Sequence, residues 1–173
     1  EDYFRDNFLP GKTEFSLNER FQLGQVSRAE FLRRIMDALD GAVSEDRIVR
    51  EFAGILAGVD EAVVAIVAAL KSRCRLACLT NTHAIHWEYI LREYGWMRLF
   101  DVQASSHLLG LAKPDRAAYL ALARQLDAPP GACLFIDDRE VNVTGAGDAG
   151  FHAIRFTGAA PLRAALGRHG FVV

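Results

Sequence analysis

The stretch that most constrains the fold of this chain is residues 133–142, Cys-Leu-Phe-Ile-Asp-Asp-Arg-Glu-Val-Asn. Its first half is apolar at every position, which is typical of a strand in a parallel sheet, because helices cover both faces of such a sheet. Asp137 and Asp138 then stand at the carboxyl end of that strand, where open α/β sheets bind their ligands.

Two adjacent carboxylates repel each other, so Asp137 and Asp138 favour either a bound cation or a shared proton. Mg²⁺ fits best, because it binds one or two carboxylates together with a phosphate group. The alternative is a solvated Asp-Asp turn that simply ends the strand. The other polar residues of the chain bear on this choice.

The rest of the chain predicts an α/β fold that follows a helical segment. Up to about residue 58 the pattern is helical, with a Ser27/Glu30 capping box opening a helix over 28–39 and Ser44 capping the next. From Asp60 onward, strand patterns alternate with helix patterns. Such alternation predicts a Rossmann-like parallel sheet. The helices predicted there include one over 86–94 with Leu91 on its inner face, one that begins at Pro114 and a last one that begins at Pro161.

Composition limits the classes of function. The chain has 173 residues, of which 51% are hydrophobic and 24% charged, with a formal net charge of −2. This suits one soluble domain with no nucleic-acid partner and no membrane partner, because it has neither a basic run nor an apolar stretch of membrane-spanning length. The three cysteines, an odd number, predict free thiols in a reducing compartment, and hence the cytoplasm. Nothing in the sequence sets the oligomeric state.

Two further polar sites follow predicted strands. Thr80-Asn81-Thr82 follows the strand that begins at Arg75, and a hydroxyl with free backbone N–H groups can hold phosphate oxygens there. Lys113 follows the next strand and offers a point charge suited to a phosphate or a carboxylate. Taken singly, each could be an ordinary helix cap or a solvated lysine. Together with Asp137, all three lie at or just beyond carboxyl ends of strands.

A literal G-x-G-x-x-G match at residues 145–150 does not indicate nucleotide binding. The dinucleotide fingerprint places its glycines immediately after a strand, where a helix opens. Here the strand ends at Ile136, so the glycines fall at the far end of the following helix. We interpret them as a helix terminus and turn.

Three motifs, in this order, carry a family resemblance: Leu79-Thr80-Asn81-Thr82; Ala112-Lys113-Pro114 with Tyr119; and Phe135-Ile136-Asp137-Asp138 with Asn142 and Gly145-Ala146. By them the chain resembles the haloacid dehalogenase (HAD) superfamily of hydrolases. It is most similar to the helical-capped, phosphatase-like members related to the N-terminal domain of epoxide hydrolase. The resemblance covers nearly the whole chain and implies a helical cap over residues 1–58 and an α/β core over residues 59–173.

The resemblance also implies a role for each motif residue. Thr80 and Lys113 would be catalytic, and together with Asn81 they would bind the phosphate of a small phosphorylated substrate. Asp137 and Asp138 would hold Mg²⁺ directly or through water. The remaining motif residue, Asn142, would orient the acidic loop, which is the segment that carries Asp137 and Asp138.

One part of the family pattern is missing from the sequence as given. The family's reaction uses an aspartate nucleophile at the end of a first, central strand, which forms an aspartyl-phosphate. Neither Asp2 nor Asp6 has the required spacing. We therefore expect that strand to lie upstream of Glu1, within roughly 15 to 35 residues, enough for one βα unit. The chain alone would then bind metal weakly and show no turnover.

Three alternatives to a phosphatase are open. The first is a catalytically inactive HAD-fold binding module, and the second is a dehalogenase-type hydrolase, although halide displacement needs no metal. The third is a phosphorelay receiver, which also combines an acidic pair with a Thr and a Lys. In a receiver the acidic pair comes first in the chain, whereas here it comes last.

Overall fold

A computed structural model describes residues 16–56 and 58–173. The first fifteen residues of the predicted helical segment 1–58 therefore lie outside the described residues. The helices are α1 Leu17–Gln22, α2 Arg28–Ala38, α3 Glu45–Gly54, α4 Glu61–Leu70, α5 Ala84–Glu93, α6 Ser106–Leu109, α7 Arg116–Leu126, α8 Glu140–Asp148 and α9 Ala159–Arg168. The strands are β1 Ala77–Thr80, β2 Val102–Ser105, β3 Leu134–Asp137 and β4 His152–Arg155, and short 3₁₀ helices cover Gly95–Leu99 and Pro130–Ala132.

Serine caps begin the first three helices. Ser16, Ser27 and Ser44 each accept a hydrogen bond from a backbone N–H three residues further on. The reciprocal capping box, however, occurs at Ser16 and Glu19. The box predicted at Ser27 is only half made, because the Glu30 carboxylate binds the side chains of Arg33 and Arg34 instead.

The helices α1–α3 share a hydrophobic core with one helix of the α/β region. This cluster contains Leu17, Phe21, Val26, Phe31, Leu32, Ile35, Ile48 and Ile85. Ile85 lies in the first turn of α5, directly after the loop that follows β1. The helices α1–α3 therefore pack against the helix that follows the predicted phosphate-binding residues.

The described strands form two parallel pairs, and the predicted parallel α/β architecture is confirmed. β1 pairs with β2 so that Thr80 faces Ser105, and β3 pairs with β4 so that Asp137 faces Arg155. Within the described part of the chain, β1 and β3 are not hydrogen-bonded to each other. The family resemblance implies that the missing central strand would lie between these two.

Helix α7 holds the two strand pairs together. Its buried Ala118, Tyr119 and Leu122 share one cluster with Leu79 of β1 and Phe135 of β3. On the other face, α4 and α9 pack together and contact the β3–β4 pair, through Ile66, Leu70, Leu162 and Leu166. Because Phe135 packs in one cluster and Leu134 and Ile136 pack against the other, β3 is apolar at every position before Asp137.

Three details of the sequence prediction are wrong. Pro114 does not open α7, which begins at Arg116, because the Asp115 side chain caps the helix by accepting from the Ala117 N–H at 2.9 Å. Leu91, predicted on the inner face of α5, is 44% exposed. α9 begins at Ala159 instead of Pro161. None of the described helices has the length and apolar character needed to cross a membrane.

Candidate functional site

The three predicted motifs meet at one edge of the strand layer. Thr80 and Asp137 are the last residues of β1 and β3, and Lys113 lies in the connection from α6 to α7. Since parallel strands end at the same edge, the fold alone brings these positions to one side of the molecule. The contacts below show how closely they meet.

The centre of the site is a buried ion pair between Lys113 and Asp137. Lys113 Nζ lies 2.7 Å from Asp137 Oδ2, and the two side chains are only 10% and 7% exposed. The ammonium also lies 5.5 Å from the centroid of the Phe135 ring, within cation–π range. A charge taken out of water in this way needs a partner, and each of these residues supplies one to the other.

Two hydrogen bonds fix the Asp137 carboxylate in addition to its ion pair with Lys113. Its Oδ1 accepts hydrogen bonds from the backbone N–H of Arg139 and from Nδ2 of Asn142, both at 2.9 Å. Burial by itself raises the pKa of Asp137, but the Lys113 ammonium and these two donors outweigh it and keep the pKa below its usual value. The carboxylate is therefore ionised at neutral pH.

A buried tyrosine, Tyr119, fixes the acidic loop through a hydrogen bond to its backbone. The Tyr119 hydroxyl donates to the backbone carbonyl of Asn142 at 2.8 Å, and Tyr119 is fully buried. Burial, with a smaller contribution from the negative Asp137, raises the pKa of Tyr119 to about 12, so the hydroxyl remains a donor. The side-chain Oδ1 of Asn142 is buried and has no hydrogen-bond partner among the described residues.

Gly145 lets helix α8 approach the Lys113 loop closely. A Cβ at this position would lie 2.7 Å from the Pro114 carbonyl oxygen and 3.2 Å from the Tyr119 hydroxyl. Gly145 and Gly147 both lie within α8, and Gly150 follows its end with φ +93°. The prediction that these glycines form a helix terminus and turn is confirmed.

Asn81 connects the loop after β1 to Lys113. Its Nδ2 donates to the Lys113 carbonyl at 2.7 Å, and its Oδ1 accepts from the Lys113 backbone N–H at 2.8 Å. Thr80 directly precedes it and is half-buried. The structure thus joins Asn81 to Lys113 and places Thr80 next to Asn81 at the end of β1.

Mg²⁺ would find two adjacent carboxylates here, one buried and one exposed. Asp138 is exposed beside the buried Asp137. Asp137 already accepts three bonds, whereas a carboxylate has about four lone-pair sites, so one is left. Within residues 16–56 and 58–173 there is no cluster of three or more His, Cys, Asp or Glu side chains that could hold a metal. Two carboxylates fit a Mg²⁺ ion that keeps water ligands and binds a substrate phosphate.

Sequence reasoning missed several supporting contacts. The side chain of Ser106 is fully buried, and its hydroxyl oxygen accepts a hydrogen bond from the Thr82 N–H at 2.9 Å. The same hydroxyl can donate to the carbonyl of Gln22, at 2.7 Å, or to that of Thr82, at 3.0 Å. It therefore ties the end of α1 to the loop that follows β1. No local signal marks this serine, because its partners are 24 and 84 residues away in the chain. The Tyr119 and Gly145 contacts likewise depend on the tertiary fold.

Comparison with known proteins agrees with this geometry. A model of the haloacid dehalogenase-like hydrolases matches residues 2–150. A phosphatase of Mycobacterium tuberculosis is 33% identical over 128 residues, which cover 72% of this chain. The chain spans only 59% of the length of that relative.

Solved structures show the same fold. A HAD family enzyme of Bacteroides thetaiotaomicron, crystallised with magnesium and inorganic phosphate, is 22% identical and superposes with a TM-score of 0.76, covering 81% of this chain and 74% of that one. A predicted HAD-like hydrolase of Porphyromonas gingivalis gives the same identity and TM-score over 89% of this chain and 78% of its own. Sequence and fold agree, and the chain belongs to the haloacid dehalogenase-like hydrolase family.

Proposed function

We propose that this chain forms part of a Mg²⁺-dependent phosphatase that acts on a small phosphorylated metabolite. The observation that carries the proposal is the buried Lys113–Asp137 pair at the strand edge, with Thr80 at the end of β1. The phosphatase relative supports the reaction class. The bacterial enzyme crystallised with magnesium and phosphate supports the cofactor.

Each site residue has a distinct task in this proposal. The Thr80 hydroxyl donates to an oxygen of the phosphoryl group, and the Lys113 ammonium stabilises the negative charge of that group during transfer. Asp137 keeps the ammonium in place and, with Asp138, would hold Mg²⁺. Asn142 orients the acidic loop through its bond to Asp137. When bound, Mg²⁺ would neutralise part of the phosphate charge.

The attacking group lies outside the described residues in this proposal. The mechanism that the family resemblance implies needs a third carboxylate, as the nucleophile. No third carboxylate joins Asp137 and Asp138 in the part of the chain that the structure describes. We assign to the described residues the binding and charge stabilisation of the phosphate, and not the attack.

The helices α1–α3 are proposed to be the cap. They have their own core, which reaches the α/β region through Ile85, and α3 contacts α5 through the bond between the Phe52 carbonyl and His86 Nε2, at 2.8 Å. A unit attached next to the loop after β1 is well placed to enclose a substrate. Its location supports a role in substrate selection.

The test is to measure, with the full-length protein, Mg²⁺-dependent hydrolysis of an aryl phosphate and, separately, binding of inorganic phosphate by calorimetry. We expect Mg²⁺ to strengthen phosphate binding, and Asp138→Asn to remove that dependence. Asp60→Asn, at the exposed cap of α4, is the matched charge control and should change neither quantity. Phosphate binding that ignores Mg²⁺ in the unmodified protein would contradict the metal assignment.

A second candidate is an inactive binding module with the same fold. The absence of a third carboxylate from the described site favours it. The same experiment separates the two, because a module would bind phosphate with Mg²⁺ but release none from an ester. Halide release from a 2-haloacid without added metal would instead favour dehalogenase chemistry.

A further inference from the structure

Both ends of the Asn81 side-chain amide form hydrogen bonds with the backbone of Lys113. We infer that Asn81 is a positioning residue, which sets the place of Lys113 through this pair of hydrogen bonds and so acts on the phosphate through the lysine. This inference rests on the proposed function only in assigning the phosphate contact to Lys113.

The chemistry of the partners fixes the orientation of the Asn81 amide. The Lys113 carbonyl can only accept and its N–H can only donate, so Nδ2 and Oδ1 cannot exchange places. Both bonds are short, at 2.7 and 2.8 Å. Asn81 thus pairs with the backbone of Lys113 as an adjacent strand would.

This pairing matters because Lys113 joins two parts of the sheet that do not pair directly. Its ammonium binds Asp137 at the end of β3, while its backbone binds Asn81 just beyond β1. A bond inside the connection, from the Asp115 N–H to the Ala112 carbonyl, closes the turn but does not attach it to β1. Lysine has a long, flexible stem, so a fixed ammonium position needs both ends held.

The rival view is that Asn81 touches the phosphate itself. Its second amide hydrogen and its remaining lone pair leave this open chemically. The two views differ in one respect: a positioning residue loses its influence when Lys113 is removed, whereas a direct phosphate ligand keeps its own contribution.

The first test measures the position of Lys113 without any turnover. Acetylation of the folded protein is followed residue by residue, with Lys71 as the internal reference, because its side chain is 38% exposed against 10% for Lys113. Asn81→Ala should raise the labelling rate of Lys113 relative to Lys71 several-fold. Asn81→Asp, which has the same shape but no donor for the Lys113 carbonyl, should raise it too.

The control for a general loss of stability is Ser44→Ala, which removes the cap of α3, a helix that carries neither Lys71 nor Lys113. It should leave the Lys113-to-Lys71 labelling ratio unchanged. A ratio that stays the same in both Asn81 variants would overturn the inference, as would a ratio that rises equally in the control.

The second test is a double-mutant cycle with inorganic phosphate as the probe. Asn81→Ala should weaken phosphate binding by between about 2-fold and about 100-fold in the natural background, the range usual for directly coupled residues. In a Lys113→Met background the same change should have no further effect. Additive losses would show that Asn81 binds phosphate directly. If the unmodified protein binds no phosphate, the proposed function fails, while the labelling result still decides the role of Asn81.

Discussion

Two lysine–aspartate pairs at different places in the molecule have similar geometry and very different surroundings. Lys113 and Asp137 lie 2.7 Å apart with side chains 10% and 7% exposed. Lys71 and Asp101 lie 2.5 Å apart with side chains 38% and 33% exposed. The first pair sits beyond the carboxyl ends of the strands, and the second joins the end of α4 to the residue before β2.

The surroundings determine what each pair does. The pKa of Asp101 is lowered first by the backbone N–H of Leu76 and only then by Lys71, so its main partner is the backbone. In the site, burial opposes the charge on Asp137, and the lysine is the largest force that restores it. The exposed pair links two elements at the surface, whereas the buried pair holds both of its charges in a fixed place out of water.

The largest effect is expected from Lys113→Met, which leaves the Asp137 charge buried without its partner. Removing one member of a buried pair typically costs about 3–5 kcal/mol of unfolding free energy, to be measured by urea denaturation. Lys113→Met combined with Asp137→Asn should recover much of the loss, because no uncompensated charge then remains. A double variant as unstable as the single one would show that packing, and not charge, dominates.

The same pair gives a pH dependence with a defined sign. Because the pKa of Asp137 is lower in the folded protein, its contribution is complete above the unfolded value of 3.8 and is lost as the pH falls further through the folded pKa. In metal-free buffer the Lys113→Met variant should lose less stability over that acid range than the natural protein does. If stability falls equally at acid pH in the natural protein and in the Lys113→Met variant, the Lys113–Asp137 pair is not the cause of that fall.

An intermediate effect is expected from adding a methyl group where α8 meets the Lys113 loop. Gly145→Ala would bring a Cβ against the backbone of Pro114, and such overpacking typically costs about 1–3 kcal/mol. Gly147→Ala, on the same helix with nothing within 4 Å, should instead stabilise by about 0.5–1 kcal/mol through helix propensity. Equal effects of the two changes on urea midpoints would mean that the close contact at Gly145 does not hold in solution.

The smallest effect is expected from Lys71→Ala at the exposed pair. Its urea midpoint should move far less than that of Lys113→Met, because Asp101 keeps its bond to the Leu76 N–H and its charge is not buried. Added salt should erase the remaining difference, whereas it should leave the Lys113→Met difference in place. A midpoint shift as large as that of Lys113→Met would remove the distinction between the pairs.

The sequence predicted where the site residues lie, but not how they hold one another. Asp137 and Lys113 could be placed because strand ends and polar motifs are local signals. The bonds from Asn81 to Lys113 and from Tyr119 to Asn142 cross 32 and 23 residues, and no local pattern encodes such distances. For the same reason the start of α7 was misplaced: Pro114 looked like a first helical residue, and only the backbone showed that Asp115 caps the helix.

The strand pairing has a consequence for the order in which the chain folds. Each described strand pairs with its neighbour in sequence, so the β1–β2 and β3–β4 units each form through contacts of shorter sequence separation than those that join the two units. They meet on helix α7, and the bonds among Asn81, Lys113 and Asp137 cross that junction. We expect hydrogen exchange to find two cooperative units, with the amide of Lys113 opening more readily than the strands on either side. Such a site would be assembled last and would be the first part lost when the two units separate.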